Sequence, residues 1–83
     1  MKKSTLTVMR HDPRTRRDVE LARFTIDRSG HVSEQYRDFR FRQDVRRGVR
    51  LGGRVFRPKD GPRFMNALEK AYRSSSLLSV QAS

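Results

Sequence analysis

Asp60-Gly61-Pro62-Arg63-Phe64-Met65-Asn66-Ala67-Leu68-Glu69-Lys70-Ala71-Tyr72-Arg73 is the stretch that decides the fold. Phe64, Met65, Leu68, Ala71 and Tyr72 recur at the spacing of one helix face, while Arg63, Asn66, Glu69, Lys70 and Arg73 fall opposite. Asp60 has the character of an N-cap, and Gly61 and Pro62 suit a first turn, where a missing amide donor costs little. Ser74-Ser75-Ser76 reads as the stop. A helix with one apolar stripe must lay it against another layer, and the rest of the chain supplies strands for that purpose.

Upstream, residues 4–10 alternate with period two: Leu6 and Val8 on one side, Thr5 and Thr7 on the other, as a half-buried strand requires. Residues 11–18 form a polar break around Asp12-Pro13 and read as a hairpin loop, because Pro13 has no amide for a ladder. Residues 19–26 give a second strand whose alternation slips: Val19 and Leu21 share one side, Ala22, Phe24 and Ile26 the other. A bulge near Leu21-Ala22 reconciles them. Asp27-Arg28-Ser29-Gly30 is a turn, and a third strand from His31 with the weakly apolar set Val32, Glu34 and Tyr36 belongs at a sheet edge.

Asp38 as N-cap, Phe41 and Val45 four apart, and Gly48 as terminator predict a short helix, with a strand through Phe39 and Phe41 as the alternative. Val49-Arg50-Leu51 and Arg54-Val55-Phe56 flank Gly52-Gly53 as a small hairpin. Residues 77–80 are apolar and placed to return beside an earlier strand, leaving Gln81-Ala82-Ser83 to fray. The expected fold is α+β: a small twisted, mainly antiparallel sheet with one main C-terminal helix on one face and a short helix in the middle. Residues 1–83 make one small basic domain with a small core.

The chain carries 20 Lys and Arg against 9 Asp and Glu, a formal net charge of +11. Residues 37–57 hold Arg37, Arg40, Arg42, Arg46, Arg47, Arg50, Arg54 and Arg57, opposed only by Asp38 and Asp44, so this segment alone carries +6. A GC-rich genome raises the ratio of arginine to lysine, but it does not account for the excess of eleven positive charges. Such one-signed fields attract polyanions, and guanidinium groups match phosphate and carboxylate with paired hydrogen bonds. These eight arginines are therefore the expected nucleic-acid contacts, through phosphates and without sequence specificity. Tyr36, Phe39 and Phe41 lie among them and are candidates for base stacking. Against that, Phe39, Phe41, Val45 and Val49 read as core in a chain with few large apolar groups.

The expected partner is RNA or DNA. The alternative is non-catalytic docking on an acidic or nucleic-acid-binding protein, as an adaptor or an inhibitor of phage or mobile-element type, with homodimerisation as a way to enlarge the core. Arg47-Gly48-Val49-Arg50 lacks the aromatics of an RNA-recognition core strand, a double-stranded-RNA domain opens on a helix, and no helix-turn-helix or zinc finger is present. Gly48 with Gly52-Gly53 lacks the Lys-Ser/Thr of a phosphate loop.

His11 and His31 are the only histidines; His11-Asp12 is a conceivable base with its carboxylate, which leaves a small ribonuclease toxin as a lesser alternative. Neighbours in sequence rarely pair productively, and no nucleophile and base stand together, so no catalytic residue, metal or cofactor is expected. The absence of cysteine fits a reducing compartment, and no run approaches the roughly 18 apolar residues of a membrane-spanning helix. Met1-Lys2-Lys3 is followed by alternating Thr and Leu rather than a signal-peptide core, so the expected location is the cytoplasm.

Overall fold

The computed structural model describes residues 5–73 and 78–83. In chain order the elements are β1 (Thr5–Asp12), β2 (Arg17–Ile26), β3 (Val32–Tyr36), α1 (Phe39–Arg47), β4 (Val49–Leu51), β5 (Arg54–Phe56), a 3₁₀ turn (Pro58–Asp60), α2 (Pro62–Arg73) and β6 (Leu78–Ala82). Four strands form one antiparallel sheet in the order β3-β2-β1-β6, and β4 with β5 forms a separate hairpin.

The period-two pattern of β1 buries Leu6 and Val8, while Thr5, Thr7, Arg23, Thr25, Ser33 and Gln35 line the opposite, polar face of the sheet. This is the usual division of an antiparallel sheet with one wet side. β1 runs two residues beyond the expected strand, and β2 begins two residues earlier. His11 and Asp12 pair with Asp18 and Arg17, so the loop shrinks to residues 13–16. The ladder stops only where Pro13 lacks its amide. There the Asp12 side chain accepts from Arg14 N (2.9 Å), and its carbonyl accepts from Arg16 N (2.8 Å).

Between Val8↔Ala22 and Met9↔Glu20 the register slips by one residue, leaving Leu21 as the bulge. Leu21 and Ala22 are consequently both buried, although adjacent strand residues normally face opposite ways. The bulge has a second effect. The carbonyl of Leu21 accepts from the amides of both Arg37 (2.8 Å) and Asp38 (3.2 Å), which fastens the end of β3 and the start of α1 to β2.

α1 is helical, not extended. Asp38 caps it by accepting from Phe41 N (2.8 Å), and Gly48 N closes it on the carbonyls of Asp44 and Val45. Phe41 and Val45 are buried, whereas Phe39, expected in the core, is 66% exposed. Gly48 has φ 111° and ψ 145°, a region close to glycine-only, and a Cβ there would lie 2.1 Å from Val55 Cγ1. Gly48→Ala is expected to cost about 1–3 kcal/mol in a urea melt. Gly52→Ala, at φ 58° with open space around it, should cost less. Equal costs would show that the Gly48 turn is not under this constraint.

α2 places Phe64, Met65 and Leu68 inward as the stripe requires, and Ala67 joins them. Ala71 and Tyr72 pack at the margin. Phe24 is the hub, meeting Phe64 edge-on at 5.3 Å and Tyr36 at 5.7 Å, while Phe41 of α1 meets Tyr72 of α2 at 5.6 Å. Asp60 differs from expectation: its carboxylate accepts from Arg57 N (2.7 Å) and closes the 3₁₀ turn, so Gly61 takes the N-cap position and its carbonyl accepts from Met65 N. The C-terminal residues also differ. Gln81 and Ala82 pair with Thr7 and Leu6, and Ser83 N donates to Thr5 O (3.0 Å). β1 needed a partner along its second edge, and backbone pairing there outweighs the polar composition expected to fray. Ser4, the Ser74-Ser75-Ser76 stop and Leu77 lie outside the described residues.

Candidate nucleic-acid interface

The buried positions of α1 determine what its other side presents. With about 100° per residue, burying Phe41 and Val45 turns Arg46, Phe39, Gln43, Arg47 and Arg40 toward solvent, with Arg42 and Asp44 on the two flanks. Arg37 stands at the entrance to the helix, with Nε donating to Glu20 Oε2 (3.1 Å), while the other oxygen of Glu20 accepts from Arg23 Nη2 (2.9 Å). Its side chain is still 74% exposed. Among the described residues, the guanidinium groups of Arg40, Arg42, Arg46 and Arg47 have neither an ion pair nor a hydrogen bond. Even Asp44, one turn beyond Arg40, leaves it unpaired.

The remaining candidates divide. Arg50 borders Arg47 across a concavity of about 420 Å³ that also includes Asp44 and Tyr72. In the hairpin register Arg50 faces Val55 and Arg54 faces Leu51, so Arg50 and Arg54 project to opposite sides. Arg57 turns back on α1, donating to the carbonyls of Arg46 (3.4 Å) and Arg47 (3.2 Å). A cation at a helix C-terminus satisfies carbonyls that lack intrahelical donors and opposes the helix dipole. The structure thus sets Arg37, Arg42 and Arg46 around one cleft, with Arg47 next along the helix and Arg50 beside Arg47, leaves Arg40 on the opposite flank of α1, and sets Arg54 and Arg57 apart.

Where α1 meets the edge strand β3 there is an open cleft of about 480 Å³, lined by Glu34, Tyr36, Arg37, Asp38, Phe39, Arg42 and Arg46. Phe39 stands at its rim, while Phe41, also a stacking candidate, is in the core and unavailable. Tyr36 is half-buried and donates its hydroxyl proton to the Glu34 carboxylate. Burial, then that hydrogen bond and the Glu34 charge, push the Tyr36 pKa up against the opposing pull of Arg46 and Arg42, so the hydroxyl remains a donor. The alternation of β3 had placed Glu34 and Tyr36 on one side, which was the available signal for Glu34, but nothing in the sequence put that side next to α1.

His11 pairs with its cross-strand neighbour Asp18, Nδ1 to Oδ1 at 3.2 Å, not with Asp12, whose side chain is turned into its own loop. Both partners are exposed. Among the described residues no group of three or more His, Asp or Glu side chains is arranged to hold a metal ion, and no helix is long and apolar enough to cross a membrane. No model of a known protein family, no curated protein and no solved structure matches this chain.

Proposed function

We propose that this protein binds nucleic acid through phosphate contacts made by the outer face of α1 and its entrance, without catalysis. The observation that carries the reading is the set of unpaired guanidinium groups of Arg42, Arg46 and Arg47 along one side of α1, with that of Arg40 on the opposite flank of its exposed half. The single acid of α1, Asp44 at i+4 from Arg40, makes no ion pair among the described residues, so positive charge dominates the exposed half of the helix and its donors stay free for a ligand. Phosphate contacts carry no sequence information, so they give affinity without specificity. Arg40, Arg42, Arg46 and Arg47 are the principal contacts, with Arg37 and Arg50 at the margins. A chain with no cysteine suits the cytoplasm, where such a partner is abundant.

Fluorescence anisotropy with a labelled 20-nucleotide duplex tests this reading. Dissociation constants of about 1–100 μM are expected at physiological salt, tightening as salt falls. No binding at about 50 mM salt would reject it. The second reading, docking on an acidic protein surface or a second copy of this chain, rests on the same guanidinium groups and on β3 and β6 as outer strands of the sheet. A stoichiometric protein complex that survives nuclease treatment would favour that reading.

Histidine substitution separates binding from catalysis. His11→Ala and His31→Ala should leave binding unchanged, and highly purified protein should release no fragments from labelled RNA. Cleavage lost in either variant would establish an enzyme instead.

A further inference from the structure

We propose that the cleft between β3 and α1 takes an unpaired guanine of a single strand, its ring against Phe39 and its Watson–Crick edge on the Glu34 carboxylate. The inference rests on the nucleic-acid reading above and adds a base preference to it.

A carboxylate is an unfavourable neighbour for phosphate, yet Glu34 lines the same cleft as Arg37, Arg42 and Arg46. Among the described residues its carboxylate has one hydrogen-bond partner, the Tyr36 hydroxyl, and no ion pair. An ionised carboxylate accepts at about four lone-pair sites, so Tyr36 orients this group and leaves most of its capacity open. The other acid of the cleft, Asp38, is already held by Phe41 N. Glu34 therefore calls for a ligand group with donors, while the arginines around it call for anions. A nucleotide offers both.

The four bases are not equivalent partners. Guanine presents N1–H and the N2 amino group side by side, matching the two oxygens of one carboxylate. Adenine and cytosine set one amino group beside a ring acceptor, which would face a carboxylate oxygen, and uracil or thymine sets one N–H between two carbonyls. In a duplex this edge is already paired, so the base must be unpaired, as in sequence-specific recognition of single strands. Phe39, 66% exposed at the rim, supplies the stacking face, which is sequence-tolerant by itself. The cleft is open, with a volume of about 480 Å³.

The test uses labelled eight-nucleotide single strands, as RNA and as DNA, that differ only in one central base: guanine, inosine, adenine, cytosine, or uracil or thymine. Guanine should bind about 5- to 20-fold more tightly than adenine, cytosine, uracil or thymine, the lower part of the range for bidentate base contacts because the cleft is open. Inosine, lacking the N2 amino group, should fall between. Glu34→Ala should bring the guanine strand down to the level of the others. Phe39→Ala should weaken every strand about fivefold or more. Equal affinity of the wild type for all bases in both sugars, or a guanine preference that survives Glu34→Ala, would overturn the inference while leaving phosphate binding in place. Failure to bind any strand, or duplex, would instead remove the nucleic-acid reading and this inference with it.

Discussion

Leu68→Ala is expected to destabilise the domain by about 2–4 kcal/mol, the range for deleting a large aliphatic side chain from a packed core. Leu68 is fully buried on the inner side of α2, in the cluster that includes Leu6, Val8, Phe24 and Phe64. For a domain this small, each kcal/mol lowers the melting temperature by roughly 4–8 °C, so the loss should be about 8–30 °C. Lys70→Ala, on the exposed side of the same helix, should stay within about 0.5 kcal/mol. Urea melts giving both variants the same negligible effect would contradict the packing of α2 on the sheet.

The second large effect is on affinity. Arg42→Gln, Arg46→Gln and Arg47→Gln combined remove three of the unpaired guanidinium groups while leaving the buried side of α1 untouched. Each lost phosphate contact withdraws about 0.9 of a counterion-release unit, which at 0.1 M salt is roughly eightfold. The triple variant should therefore bind about 10²- to 10³-fold more weakly. The same substitutions at Arg14, Arg16 and Arg17 remove equal charge from the β1–β2 loop and the first residue of β2, and should cost less than about tenfold, because they act only through the long-range field.

Much of the fold is readable because its elements have regular periods. The 3.6-residue stripe from Phe64 to Tyr72 gives α2, and the break in alternation at Leu21-Ala22 gives the bulge before any pairing is known. The readings that fail depend on contacts distant in sequence or on which of two partners a polar group takes. Residues 11–18 look like loop because every one of them except Pro13 is polar, yet His11 and Asp18 stand opposite each other in the ladder. Asp60 is suited to cap a following helix, but its carboxylate meets the amide of Arg57 behind it. Gln81 and Ala82 look terminal until β1 is seen to hold them.

The candidate interface was legible as a density of arginine but not as a surface. Linear spacing cannot distinguish Phe39 from Phe41; two residues turn about 200° around a helix, and that sends one to solvent and the other inside. Nor does the sequence reveal that Arg57 closes the end of α1, or that Arg50 and Arg54 occupy opposite sides of a hairpin. Glu34 acquires meaning only when the Leu21 carbonyl binds the amides of Arg37 and Asp38 and so sets α1 beside the edge strand.

The salt dependence of duplex binding, measured for the wild type and both triple variants, tests the central claim most directly. With four to six phosphates neutralised, the wild type should give a log–log slope of about −3 to −5. The α1 triple variant should flatten it by roughly two to three units, and the loop triple variant by less than about one. Equal flattening in the two variants, or a wild-type slope near zero, would contradict a phosphate-binding surface on α1.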